Sequence, residues 1–146
     1  MDYSAYESFL FPEKINIDIV YIIGVNTESD FHPFYVGQSS RHVGRFGDYL
    51  KPNFSAATDF KVGKAIEYLT NNGCKVEVKF RSSINRISDE KEIINSLNPI
   101  LNTIPGYDYT KLQDEDDKKK ILSNIEEIMR KWIESSFTSN INDITW

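Results

Sequence analysis

Six polar side chains between positions 21 and 102 are of types that carry chemistry: Tyr21, Tyr35, Arg45, Tyr49, Glu90 and Asn102. A guanidinium presents a fixed fork of donors to oxyanions. A lone carboxylate is a hard oxygen ligand for a cation such as Mg²⁺ that keeps most of its waters. Arg45 falls eight residues after Gly37, Tyr49 lies one helical turn beyond it, and Asn102 follows Glu90 by twelve residues. Each residue also has an ordinary structural role. Tyrosines inside apolar runs fill cores, Arg45 and Glu90 are surface charges, and Asn102 is a turn residue.

The elements that must position these groups can be read from the apolar pattern. Residues 1–16 form an N-terminal arm or short helix, with Tyr3, Tyr6, Phe9 and Leu10 near helical spacing and Pro12 as a stop. The run INIDIVYIIGV (15–25) alternates and then turns continuously apolar, as a central strand does. Turn-formers over 26–33 lead to a second short strand at 34–37, so the pair predicts an antiparallel hairpin. Ser39 or Ser40 caps a helix running through Arg45 to Leu50. Asp59 caps a cleaner one, whose apolar stripe runs from Phe60 to Leu69 and which ends at Gly73. Residues 74–80 (CKVEVKF) alternate as a third strand, and Ser88 and Asp89 open a helix over 89–97.

Beyond Pro105-Gly106 a charged run (113–120) precedes an amphipathic helix from Ile121 to Phe137. The pattern predicts an α+β fold: a small three-stranded antiparallel sheet flanked by helices over 17–106, plus a C-terminal helical extension over 107–146. That extension is expected to pack on the core or, as a homodimer interface, on a second copy.

At 146 residues, with 40% hydrophobic and 13% aromatic residues, the chain has the material for one folded core, which excludes global disorder. No apolar run reaches the roughly 20 residues of a membrane span. Asp2 and Glu7 precede the first lysine, Lys14, which is the wrong charge for a signal peptide. A lone Cys74 excludes an internal disulfide framework. A cytoplasmic protein without membrane attachment is expected. The net charge of −5 argues against a polyanionic partner, but the charge is uneven. Between Tyr35 and Ile87 nine basic residues face four acidic ones, a local +5 between ends that sum to −10. A basic middle can focus phosphate binding, and alternating charge on exposed faces produces the same count.

The order of residues resembles the GIY-YIG nuclease family. Its first signature corresponds to Val20-Tyr21 within IVYII, and its second to Tyr35-Val36-Gly37 within FYVGQSS. The family's arginine falls on Arg45 and its His or Tyr one turn later on Tyr49. The glutamate block, with its apolar pair and P-x-x-N, falls on Glu90, Ile93-Ile94, Pro99 and Asn102. The likeness spans residues 17–103. It departs at Ile19, where the family has glycine, and beside the second signature, where Phe34 and Gln38 stand instead of a lysine.

The resemblance implies a Mg²⁺-dependent DNA endonuclease, with Mn²⁺ as a substitute metal. Glu90 would hold the metal, Arg45 would stabilise the phosphoryl charge, and Tyr21 or Tyr35 would be general base. Tyr49 and Asn102 would position water and phosphate. A phenol with an ordinary pKa of about 10 needs a nearby cation for that role, and Arg41 and Lys64 are candidates. Gln38, Ser39, Arg41, Lys51, Lys61 and Lys64 are the candidate DNA contacts. Restriction, mobile-element or phage, and repair roles all fit such an enzyme, with a compact restriction-like or phage-type nuclease preferred. The alternative is a module on the same fold that binds nucleic acid or protein without cutting.

Overall fold

The computed structural model describes residues 2–9, 18–28, 30–39, 57–103 and 115–136. The chain is α+β. Its strands are β1 (Glu7–Phe9), β2 (Ile19–Asn26), β3 (Phe31–Ser39) and β4 (Lys75–Ser82). Its helices are α1 (Ala57–Asn71), α2 (Arg86–Leu97) and α3 (Glu115–Ser136), with a 3₁₀ turn at Ile100–Thr103. They fall into two compact units, one of residues 1–47 and 76–104, the other of 48–75 and 105–146.

In the first unit the three long strands lie in the order β4-β2-β3, and β1 adds to the outer side of β4. β2 and β3 are antiparallel neighbours. β4 runs antiparallel to β2 as well, since the Ser83 N–H donates to the Asp18 carbonyl at one end and the Asn26 amide donates to Glu77 at the other. The antiparallel three-stranded sheet is therefore as the sequence pattern predicts. The N-terminal helix is not: Glu7, Ser8 and Phe9 pair with Phe80, Lys79 and Val78. The open edge of β4 decides this, because an unpaired row of N–H and C=O groups outweighs the weak propensity of a short aromatic segment. The remainder of the expected arm, 10–16, lies outside the described residues.

β2 is buried along nearly its whole length, which accounts for its continuous apolar run. Val20 and Ile22 point to the same face as Val36 of β3, and Ile93 of α2 packs on all three. Tyr3, Tyr6, Phe31, Ile94 and Leu97 rim this cluster. The register shifts between Ile23, which faces Tyr35, and Gly24, which faces Pro33, so Phe34 is a bulged extra residue. Without that insertion Phe31 would fall on the opposite face. Gly24 makes room for it: a Cβ there would sit 2.6 Å from the Phe31 ring.

α2 begins at Arg86, three residues before the start expected from Asp89, and Glu90 accordingly sits in its second turn. Asn98 closes the helix in the left-handed region at φ 47°, with its N–H bonded to the Ile94 carbonyl.

In the second unit α1 and α3 pack on one another. α1 buries Val62, Ala65, Ile66 and Leu69, and α3 buries Ile125, Met129 and Ile133, each a stripe at helical spacing. α1 ends where the sequence indicates, at Gly73 with φ 82°. The C-terminal helix thus uses its apolar stripe within its own chain. Among the described residues no helix is long and apolar enough to cross a membrane.

Candidate functional site

The β2–β3 hairpin brings the two signature tyrosines together. Tyr21 stands opposite Gly37, and Ile23 opposite Tyr35. Both phenols therefore project from the same face, with ring centroids 6.3 Å apart. Gly37 has a specific reason to lack a side chain. A Cβ there would lie 2.4 Å from both the Cζ and the hydroxyl oxygen of Tyr21, so the phenol occupies the space above the glycine. Tyr21 thereby lies over β3, an edge strand among the described residues. It is fully buried, and Tyr35 is 6% exposed.

Asn102 joins the same hairpin from far along the sequence. Its Oδ1 accepts from the Val36 N–H at 2.8 Å, and its Nδ2 donates to the Val36 carbonyl at 2.9 Å. Val36 pairs with Ile22 on its β2 side and turns these two groups outward. The amide of Asn102 thus stands in for a peptide of an additional strand. The 3₁₀ turn after Pro99 presents it, with the Asn102 N–H bonded to the Pro99 carbonyl. As a turn residue Asn102 fits the sequence reading, and the clamp is a positioning contact on the backbone between Tyr35 and Gly37.

Glu90 is half-buried on α2. It shares a helical row with Ile93, Ile94 and Leu97 at the spacing i, i+3, i+4, i+7. That row faces the Val20, Ile22 and Val36 side of the sheet, opposite to Tyr21 and Tyr35. The structure therefore joins the tyrosines with Gly37 and Asn102, and places the helix bearing Glu90 on the other face. Arg45 and Tyr49 lie outside the described residues, as do Arg41 and Lys51. Among the described residues no group of three or more His, Cys, Asp or Glu side chains could hold a metal ion. A single carboxylate at Glu90 fits only a hydrated hard cation, one that keeps most of its waters.

The expected DNA contacts divide. Gln38 accepts a hydrogen bond from Arg86 at 2.8 Å, and Ser39 ends β3. Lys61 is only 5% exposed, and burial lowers its pKa. It is therefore not a surface cation, contrary to what a contact for phosphates requires. Lys64 pairs with Glu67 at 3.5 Å.

Two features of the α2 end were not anticipated as site elements. Arg86 ties α2 to β3 through Gln38, and its Nε lies 3.5 Å from Oδ2 of Asp18 just ahead of β2. Asp89 accepts from the buried Ser83 hydroxyl and from Arg81. These bonds, that of Ser83 foremost, hold the Asp89 pKa below the usual carboxylate value. The signal in the sequence was slight: Arg86 counted only as one of the nine basic residues, and Asp89 only as a helix cap.

No family model matches the chain at a significant level, nor does any curated protein or any solved structure.

Proposed function

We propose that the chain is a Mg²⁺-dependent DNA endonuclease resembling the GIY-YIG nucleases. What supports this reading is that three blocks separated in sequence meet on one hairpin: Tyr21 over Gly37, Tyr35 beside it, and Asn102 clamped to Val36. Residues at the offsets of the family pattern thus lie together, with the Asn102 clamp using both ends of an amide and Gly37 leaving room for the Tyr21 ring.

In this reading Arg45 binds the phosphate oxygens as negative charge builds, and Tyr21 or Tyr35 takes the proton of the attacking water. Losing the arginine is expected to cost roughly 10²–10³ in rate, by analogy with other preorganised donors. Asn102 acts through the strand it clamps, not on the substrate. Glu90 would hold the metal. When bound there, Mg²⁺ supplies Lewis acidity toward the phosphate and stabilises the leaving oxygen. β3 is the strand over which the buried Tyr21 ring lies and to which Arg86 ties α2, and this reading assigns the reacting phosphate to that edge.

One observation favours a second reading, a module that binds nucleic acid without cutting it: Tyr21 is fully buried, on the face opposite α2. Incubation with supercoiled plasmid in Mg²⁺ or EDTA separates the two. Mg²⁺-dependent nicking supports the nuclease, whereas a gel shift with intact plasmid supports the binding module.

A further inference from the structure

Two large apolar side chains are exposed among the described residues: Ile84, at 98%, in the turn joining β4 to α2, and Ile87, at 55%, in the first turn of α2. Isolated exposed isoleucines are common on proteins and need no explanation. These two share the wall of one open hollow of about 510 Å³ with Asp18, Arg86, Ser88 and Lys91. The hollow therefore has an apolar side and a cationic side. Its single acidic wall residue, Asp18, lies against Arg86.

Neither cation is fully engaged. Lys91 has no ion-pair partner among the described residues and is exposed. Arg86 gives one N–H to a neutral acceptor, Gln38 Oε1. Its Nε has no hydrogen-bond partner although the atom is buried. Asp18 lies near that nitrogen at 3.5 Å, but its side chain is 49% exposed, so the pair contributes little. The Arg86 side chain as a whole is 26% exposed, so the part of the guanidinium that reaches the surface can meet an anion in the hollow even though its Nε is buried.

From this juxtaposition we infer that the hollow at the β4–α2 turn binds a backbone phosphate of a nucleic-acid strand, with Arg86, Lys91 and the Ser88 hydroxyl on the phosphate and Ile84 and Ile87 against the adjoining sugar. The proposal rests on the nuclease reading and extends it. Arg86 lies one helical turn before Glu90, and it is bonded to β3, the strand to which the reacting phosphate is assigned. The hollow would fix the strand beside the bond to be cut, which is a binding role and not a catalytic one.

The test is the salt dependence of duplex binding by the intact chain in EDTA, read by fluorescence anisotropy of a short labelled DNA. Lys91→Ala, Ile84→Ser and a control at a lysine of α3, Lys119→Ala, are compared with wild type, since all three positions are exposed. Lys91→Ala is expected to weaken binding and to reduce the slope of log K against log salt by about one. Ile84→Ser should weaken binding without altering the slope. The control should match wild type. Wild-type affinity and slope in both turn variants, or an equal loss in the control, would overturn the subsite. If that happens while wild type still cuts plasmid in Mg²⁺, only the subsite fails. If wild type neither binds nor cuts, the nuclease reading fails with it.

Discussion

Removing the Asn102 side-chain amide tests how the hairpin is held. Asn102→Ala deletes two hydrogen bonds, of 2.8 and 2.9 Å, to the N–H and C=O of Val36. Val36 is fully buried, so water does not readily replace the lost partner. Each bond contributes about 1 kcal/mol net, and an unsatisfied buried group costs about 1–3 kcal/mol. The expected loss is therefore about 2–4 kcal/mol. At ~3 °C per kcal/mol for a chain of this size, Tm should fall by about 6–12 °C. Thermal and urea unfolding followed by circular dichroism measure this.

Asn102→Asp adds a test of the sign. The introduced carboxylate still accepts from the Val36 N–H but sets an oxygen against the Val36 carbonyl. Its folded-state pKa is then raised above the unfolded value of about 3.9. The variant's stability relative to wild type is best below that value and declines as pH rises through the folded pKa. An Asn102→Ala variant within about 0.5 kcal/mol of wild type would refute the clamp.

Other perturbations have equally definite outcomes. Gly37→Ala sets a methyl 2.4 Å from the Tyr21 ring and hydroxyl and should destabilise by about 1–3 kcal/mol. Most of that loss should vanish in a Tyr21→Ala background, which a double-mutant cycle of urea midpoints reads. Met129→Ala removes a fully buried side chain of α3 and should cost about 2–5 kcal/mol in the same assay. Asp89 has a lowered pKa from the Ser83 hydroxyl and then Arg81. Its contribution is present above the ordinary carboxylate value and lost as pH falls through the folded pKa. Asp89→Asn should flatten the acid limb of the stability curve below about pH 4, and an unchanged limb would contradict the assignment.

Much of the fold was legible because its signals are local. The continuous apolar run at Ile19 to Val25, the alternation of CKVEVKF and the Gly73 stop each reflect a period or a backbone preference within a few residues. The residues that were misread depend on partners distant in sequence. Tyr3, Tyr6 and Phe9 mimic a helix, yet β1 pairs along β4. β3 extends back to Phe31 through what reads as turn, because the bulge at Phe34 and the missing side chain of Gly24 let Phe31 join the core. α2 starts at Arg86, whose side chain bonds to Gln38 on β3, far from the helix in sequence.

The candidate site divides in the same way. That Tyr21 and Tyr35 stand on partner strands followed from the hairpin, whereas their common face depends on the register of Tyr21 on Gly37 and Ile23 on Tyr35. That Asn102 would clamp Val36 did not, because the contact spans 66 residues. Lys61 looked like any basic residue on an amphipathic helix, and only packing reveals that it is buried.

Cleavage of supercoiled and linear DNA by wild type and Glu90→Gln, each in Mg²⁺ and in EDTA, tests the proposed function most directly. The nuclease reading predicts nicking or linearisation by wild type in Mg²⁺ alone and none by the variant, with both proteins showing the same unfolding midpoint. Intact DNA with wild type, or equal cutting by Glu90→Gln, would contradict it.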